Sequence, residues 1–570
     1  MLEDHLCETA IGSGDFAPKS WMKPSALRCL VEGDPSQLWL EHHGAAHGFT
    51  QDDIAQTLTG FILQKGNEYE AAWINALAPD AVRVCEGPWD SVNPDKVRET
   101  FALMQQKTPV ITQAALCCAG ESIYGIADLL VHTHWLRDRS LSLGQNTPRE
   151  PAEGEGHYVA LDIKFSTRLD SKDADKRLNW LYISSQLRLY TYMLGRMQGH
   201  MPGFGYVIAR DRVKAPLPVP IKSHTLDAPL DEDLAELRAK YQDIVLEGAN
   251  YNPWTNECVF VNDFNDPAWK TAKKAIAEKI AGRARELCHE ISPKRRQSLT
   301  ALGFFSLQDM LDKHITEAQL QTIGGLGANK ARQIFTILTA NRTQQPSFPD
   351  QKPAPAKRQC ELYVDTEYFS NLNVDFRQVD FTQDNPEMKG CEMIFMLGVG
   401  WENASGGWEF QRFLADAQEK ASEKKLLDEF CAFLSSHGCS CEADHTVLYH
   451  WTADATKVKG AARAHEYAAG HLLHDIPWED LHKHFTGTPI GIPGAWGYGL
   501  KELGLALTAH DPTYPIAWPM TLSDGANAMV QGWKAYAEPN PVESDTMQTL
   551  IPYLESDCHA LYQITRWLRS

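Results

Sequence analysis

Two strand-like runs in this chain carry charged side chains two residues apart, and any fold must account for them. The first, YVALDIK at residues 158–164, has the aromatic and β-branched content of a buried strand but holds Asp162 and Lys164. Side chains two apart on a strand share a face, so a carboxylate and an ammonium lie side by side at its end. The second, ELYVDTEYF at residues 361–369, puts Asp365 and Glu367 on one face by the same rule. Charge in a core strand needs partners. A strand-end salt bridge is the plain reading of the first pair; the alternative is that a metal ion and a phosphate complete the charges of that same pair.

Between the two runs the chain changes character. Residues 339–359, TANRTQQPSFPDQKPAPAKRQ, hold four prolines and no apolar periodicity, which predicts an extended linker. A length of 570 residues is too long for one core. Before the linker the N-terminal region reads helix, strands, helix, and after it strands are followed by mostly helical sequence, the order of an α/β chain. The partition read from the sequence is an N-terminal domain at 1–235, a basic helical segment at 236–345, a Pro-rich linker at 346–359 and a C-terminal domain at 360–570. The segment 137–156 reads as a hairpin loop and 266–291 as a basic helix.

The N-terminus MLEDHLCETAIGSGDF is acidic and lacks an apolar signal core, and the 13 Cys have no regular spacing. No apolar run approaches the roughly 20 residues of a membrane span. The expectation is a cytoplasmic chain with reduced thiols and no membrane partner. A net charge of −20 argues at first against nucleic acid. The charge is unevenly spread, however. Residues 361–570 hold 14 Lys and Arg against 30 Asp and Glu, a balance of −16, whereas 266–342 hold 13 against 7, a balance of +6. A basic middle between acidic ends is compatible with a nucleic-acid enzyme whose carboxylates hold metals.

Four pieces of the N-terminal region fall in order: Glu70 in the helical QKGNEYEAAW, Asp128 at the end of ESIYGIAD, Asp162 with Lys164, and Gln186 with Tyr190 one helical turn apart in SSQLRLYTYM. Acids at the ends of neighbouring elements can hold divalent metals through hard oxygen ligands, and Lys164 can offset charge on a scissile phosphate. These residues resemble the RecB-type PD-(D/E)xK nucleases, a superfamily that includes restriction endonucleases and helicase-linked exonucleases. The pattern is Gly66 with Glu70, GIAD at Asp128, LDIK at Asp162 and Lys164, and QLRLY at Gln186 and Tyr190, and it covers roughly residues 50–215. The resemblance implies a restriction-endonuclease-like mixed sheet flanked by helices. Its metal ligands would be Glu70, Asp128 and Asp162, with Gln186 and Tyr190 ordering the site. Many relatives carry a His where this chain has Tyr69.

In the basic middle, TIGGLGANKARQIF sets Gly324, Gly325 and Gly327 between helical runs and opens the second with Asn329 and Lys330. Glycines there let backbone N–H groups approach a phosphate. The pattern resembles a helix-hairpin-helix, a sequence-independent DNA-backbone binder, with Gly325, Gly327, Asn329 and Lys330 as its contacts. An αα-turn with a glycine cap is the alternative.

The third constellation joins Asp365 and Glu367 to Tyr553 and Asp557, which share a helical face in LIPYLESDCHALYQ, and to Asp454 just beyond the strand VLYH. Converging carboxylates with a tyrosine suit two-metal hydrolysis. Residues 360–570 resemble the RNase H-like DEDD exonucleases in their Tyr-containing variant, and more closely the RNase H-like domain often joined to RecB-type nucleases. That group's pattern puts an acid where this chain has Ala455, one residue past Asp454. Cys439, Cys441 and His445 lack the second ligand pair of a structural zinc site.

Together the resemblances imply a Mg²⁺- or Mn²⁺-dependent deoxyribonuclease acting on single strands or ends, an exonuclease by the company its motifs keep. A helicase or another repair or defence protein is the expected partner. A DNA-binding adaptor with one or both sites silent, and an RNase, are the alternatives.

Overall fold

A computed structural model describes residues 3–31, 35–55, 57–138, 156–166, 178–222, 225–226, 228–246, 267–279, 295, 298–299, 301–304, 307–348, 353–383, 386, 388, 390–519 and 525–570. The chain divides into two compact units. One comprises Met1–Asp52, Ile62–Lys273 and Asp375–Met388, the other Asp53–Phe61, Lys274–Val374 and Lys389–Ser570. Each is a mixed sheet flanked by helices, the α/β class expected. Most of the loop expected at 137–156, and much of the basic helix expected at 266–291, lies outside the described residues; within the latter, Lys270–Lys279 is helical. Among the described residues no helix is long and apolar enough to cross a membrane.

The first sheet runs in sequence order: β1 (Val82–Arg83), β2 (Val110–Cys118), β3 (Ile123–His132), β4 (Tyr158–Lys164), β5 (Phe204–Ala209) and β6 (Arg212–Pro220). Strands β4 and β5 pair in parallel, and helix Leu178–Gln198 makes the crossover between them. That helix also packs on β2 and β4. Residues of strand β4 through Ile163 are all buried rather than alternating, so both of its faces are covered. The helix lies close because Gly205 on β5 has no side chain: a Cβ there would meet Leu187 Cγ at 2.7 Å and Thr191 Oγ1 at 2.6 Å.

The second sheet has the order β11 (Trp478–Asp480), β10 (Thr446–His450), β7 (Cys360–Phe369), β8 (Met393–Glu402) and β9 (Trp408–Leu414). β7 lies at the centre, parallel to β10 and antiparallel to β8, and its pairing with β8 shifts register just after Glu367. Helix Asp545–Arg569 packs across β7 and β8. Ser544 caps it, its Oγ accepting from Met547 N at 3.1 Å. The Phe369 and Phe395 rings stack at 4.2 Å, and Gly532 leaves room for both, since a Cβ there would lie 2.8 and 2.7 Å from them.

The expected linker begins later than its composition suggests. Residues 339–343 complete helix Gly327–Thr343. Buried Asn341 explains the extension: its Nδ2 donates to Ile337 O and Ala495 O at 3.0 and 2.8 Å, and its Oδ1 accepts from Gly494 N at 2.8 Å. A polar residue that looks like linker in the sequence is a fully engaged core contact.

Candidate metal centres

In the first unit the strand period brings Asp162 and Lys164 together as expected. Lys164 Nζ lies 2.9 Å from both carboxylate oxygens; Oδ1 accepts the hydrogen bond and buried Oδ2 has none. Asp128, on β3 beside them, accepts from Ile163 N at 2.9 Å. Glu70 reaches in from helix Leu58–Leu77 and accepts from Gln113 Nε2 at 2.7 Å. Gln113 has φ of +49° and drops out of the β2–β3 register opposite Asp128. A non-glycine residue in left-handed backbone is a strained feature of the kind found beside functional sites.

The helix face completes the site. Gln186 Nε2 is 3.4 Å from Tyr190 OH, both residues are buried, and Gln186 Oε1 has no partner. Burial, then Asp128 and Asp162, push the Tyr190 hydroxyl upward. Tyr182, one turn before Gln186, is also raised by burial and senses Lys164 and Asp162. Positions 182, 186 and 190 form one i, i+4 stripe, a signal that could have added Tyr182 from the sequence. Burial pushes Asp162 up to about 8, with Asp128 adding and Lys164 opposing. Burial and then Asp128 push Glu70 up to about 7. On Lys164 burial works downward, but Asp162 and Asp128 outweigh it and hold the ammonium charged.

Tyr69, next to Glu70 on the same helix, bonds and packs elsewhere. It is fully buried, donates to Ala209 O at 3.0 Å, and packs against Phe165, Phe376 and Phe381 at ring distances of 5.8, 5.7 and 6.0 Å.

In the second unit, one carboxylate oxygen each from Asp365, Glu367 and Asp557 falls within 4.8 Å of the others. Among the described residues this is the group with that spacing; Glu70, Asp128 and Asp162 do not close to it. Glu367 and Asp557 are buried. Burial, then Asp454, Asp557 and Glu367, hold the Asp365 carboxyl well above its usual range. Burial pushes Asp557 up to about 7 against a hydrogen bond from Trp518 and the charge of Lys501. Three acids packed this closely hold protons unless a cation replaces them. The donor set, oxygen only, fits a hard divalent ion.

Asp454 falls outside that 4.8 Å spacing but acts on Asp365. It opens helix Asp454–Ala464, and its Oδ1 accepts from Thr366 Oγ1 at 2.6 Å and Thr366 N at 3.1 Å. Burial pushes it up to about 6. His450 Nδ1, buried and without a hydrogen bond, is 3.9 Å from Asp454 Oδ2. Tyr553 shares the helix face of Asp557, and Lys501 Nζ sits 4.1 Å above its ring. Trp518 Nε1 donates to Asp557 Oδ1 at 2.8 Å. Trp518 and Lys501 come from segments remote in sequence, and no local pattern marks them.

The glycine turn of the basic segment is on the surface. Gly325 and Gly327 have φ of +75° and +74°, and both, with Asn329, are exposed. Lys330 is half-buried in the first turns of helix Gly327–Thr343. Helices Glu317–Gln321 and Gly327–Thr343 flank the turn over a small core that includes Met310, Ile315, Leu320, Ile334 and Leu338.

Neither protein-family models nor curated proteins yield a match to this chain.

Proposed function

We propose that the chain is a metal-dependent nuclease that hydrolyses DNA phosphodiester bonds. The observation that carries this reading is the approach of Asp365, Glu367 and Asp557 to within 4.8 Å, with Glu367 and Asp557 buried and Asp365 half-buried. Mg²⁺ or Mn²⁺ held there would activate water and stabilise the leaving oxygen. The chain's own groups supply the rest. Trp518 fixes the Asp557 carboxylate, Tyr553 orients the attacking water, and Lys501 above its ring presents a positive charge to the phosphate. In the first unit, Glu70, Asp128 and Asp162 would hold a metal, with the upward push on the buried Asp162 and Glu70 carboxyls, to which Asp128 adds, as the supporting observation. Lys164 would meet the scissile phosphate there, and Gln186 and Tyr190 would order the strand. The exposed turn at Gly325, Gly327, Asn329 and Lys330 would grip the DNA backbone. A helicase or other repair or defence protein in the cytoplasm is the partner this activity suits.

One observation favours a second reading for the C-terminal unit, a silent site within a DNA-binding adaptor. Asp454 Oδ1 is bound by Thr366, and Asp454 falls outside the 4.8 Å spacing of the other three acids. End-labelled single- and double-stranded DNA and matched RNA, incubated with Mg²⁺ or Mn²⁺ and with EDTA, test the proposal. Metal-dependent DNA cleavage supports it. Cleavage of RNA alone makes the protein an RNase, and DNA binding without cleavage makes it the adaptor.

A further inference from the structure

The cysteines of the C-terminal unit hold an arrangement that the nuclease reading leaves unused. Cys360 opens β7, and its N–H donates to His445 O at 2.9 Å, which anchors it to the segment before β10. Cys439 follows helix Lys420–Ser436, its N–H donating to Leu434 O at 3.0 Å. The two residues are 79 positions apart, yet their sulfurs lie 3.1 Å from each other. That is closer than the about 3.5–4.0 Å at which even carbon atoms rest. Backbone hydrogen bonds on both sides hold the sulfurs in place.

Zinc does not explain the contact. Two thiolates on a tetrahedral zinc at about 2.3 Å sit about 3.8 Å apart, wider than the 3.1 Å seen. The other candidate ligands are elsewhere engaged or open to solvent: His445 Nδ1 is 2.9 Å from Thr446 Oγ1, and Cys441 is exposed. The thiols are also unequal. The hydrogen bond with Cys439 lowers the Cys360 thiol, and the same bond raises that of Cys439.

We propose that Cys360 and Cys439 are a reversible modification site that closes to a disulfide by exchange with a low-molecular-weight disulfide. The Cys360 thiolate attacks one sulfur of the small disulfide and expels the other half as a thiolate. Cys439 then gives up its proton and attacks Cys360 Sγ, which expels the second half. Two protein thiols become one S–S bond, and the two electrons reduce the small disulfide to two thiols. The product ties the start of the central strand to the end of helix Lys420–Ser436.

The test treats the full-length protein with oxidised glutathione, blocks free thiols and maps tryptic peptides without reduction. The expected product is peptide Gln359–Arg377 joined to Leu426–Lys457, lighter by two hydrogens than the separate pair. It should still form in Cys441→Ser, be absent in Cys439→Ser, and raise Tm reversibly with dithiothreitol. Pairing of Cys360 with Cys431 or Cys441 would overturn the proposal. So would glutathione adducts alone, or both thiols remaining fully alkylated.

Discussion

The acidic group of the C-terminal unit makes a prediction whose sign is opposite to that for most buried side chains. Burial lifts the Asp557 carboxyl from 3.8 to about 7. The native state therefore binds a proton that the unfolded chain has already lost. Well below pH 3.8 both states are protonated and there is no penalty. Between about pH 4 and 7 native stability falls by about 1.4 kcal/mol per pH unit, and above 7 the loss levels off at about 4 kcal/mol. Asp557→Asn keeps the Oδ1 that accepts from Trp518 but removes the titration. In EDTA at pH 8 the variant should be more stable than wild type, by up to about 4 kcal/mol or several degrees in Tm. At pH 4.5 the gap should shrink to about 1 kcal/mol. Saturating Mn²⁺ should raise the wild-type Tm at pH 8 and leave the variant little changed. Calorimetry at the two pH values, with and without metal, reads all of this. A variant less stable than wild type at pH 8 in EDTA, or an equal gap at both pH values, would refute the reasoning.

Three other perturbations follow from single contacts. Lys164→Met leaves Asp162 without its partner, and partial exposure of the lysine limits the loss to about 1–3 kcal/mol at pH 8. Denaturant midpoints should show much of it recovered when Asp162→Asn is added. Gly205→Val would drive a side chain into Leu187 and Thr191 and should cost about 1–3 kcal/mol, measured the same way. Lys330→Glu should weaken DNA binding evenly across sequences and flatten the slope of log K against log salt by about 1, read by fluorescence anisotropy.

What the sequence made legible was local geometry. The period of two placed Asp162 beside Lys164, and they lie 2.9 Å apart. It also placed Asp365 beside Glu367, and both join the acidic group. The helical period put Gln186 near Tyr190 and Tyr553 on the face of Asp557. What stayed hidden depends on contacts between distant segments. Gln113 has no residue type that announces left-handed backbone, yet its strained conformation carries the amide that holds Glu70. Trp518 and Lys501 meet Asp557 and Tyr553 from 39 and 52 positions away. Asn341 has a linker's composition and a core residue's hydrogen bonds. Asp454 shows the same limit. Its place after β10 was readable, but its hold on Thr366 rather than on the other acids was not.

Metal-dependent cleavage by these acidic sites is open to direct test. The most direct measurement follows end-labelled single- and double-stranded DNA with Mg²⁺ or Mn²⁺ for wild type, Lys164→Ala, Asp365→Ala and the double variant. The account predicts cleavage by wild type that EDTA abolishes, loss of activity in at least one single variant, and none in the double. Loss in Lys164→Ala alone assigns the enzyme to the first unit, and loss in Asp365→Ala alone assigns it to the second. Cleavage that survives in the double variant, or its absence from wild type on every substrate, would contradict the account.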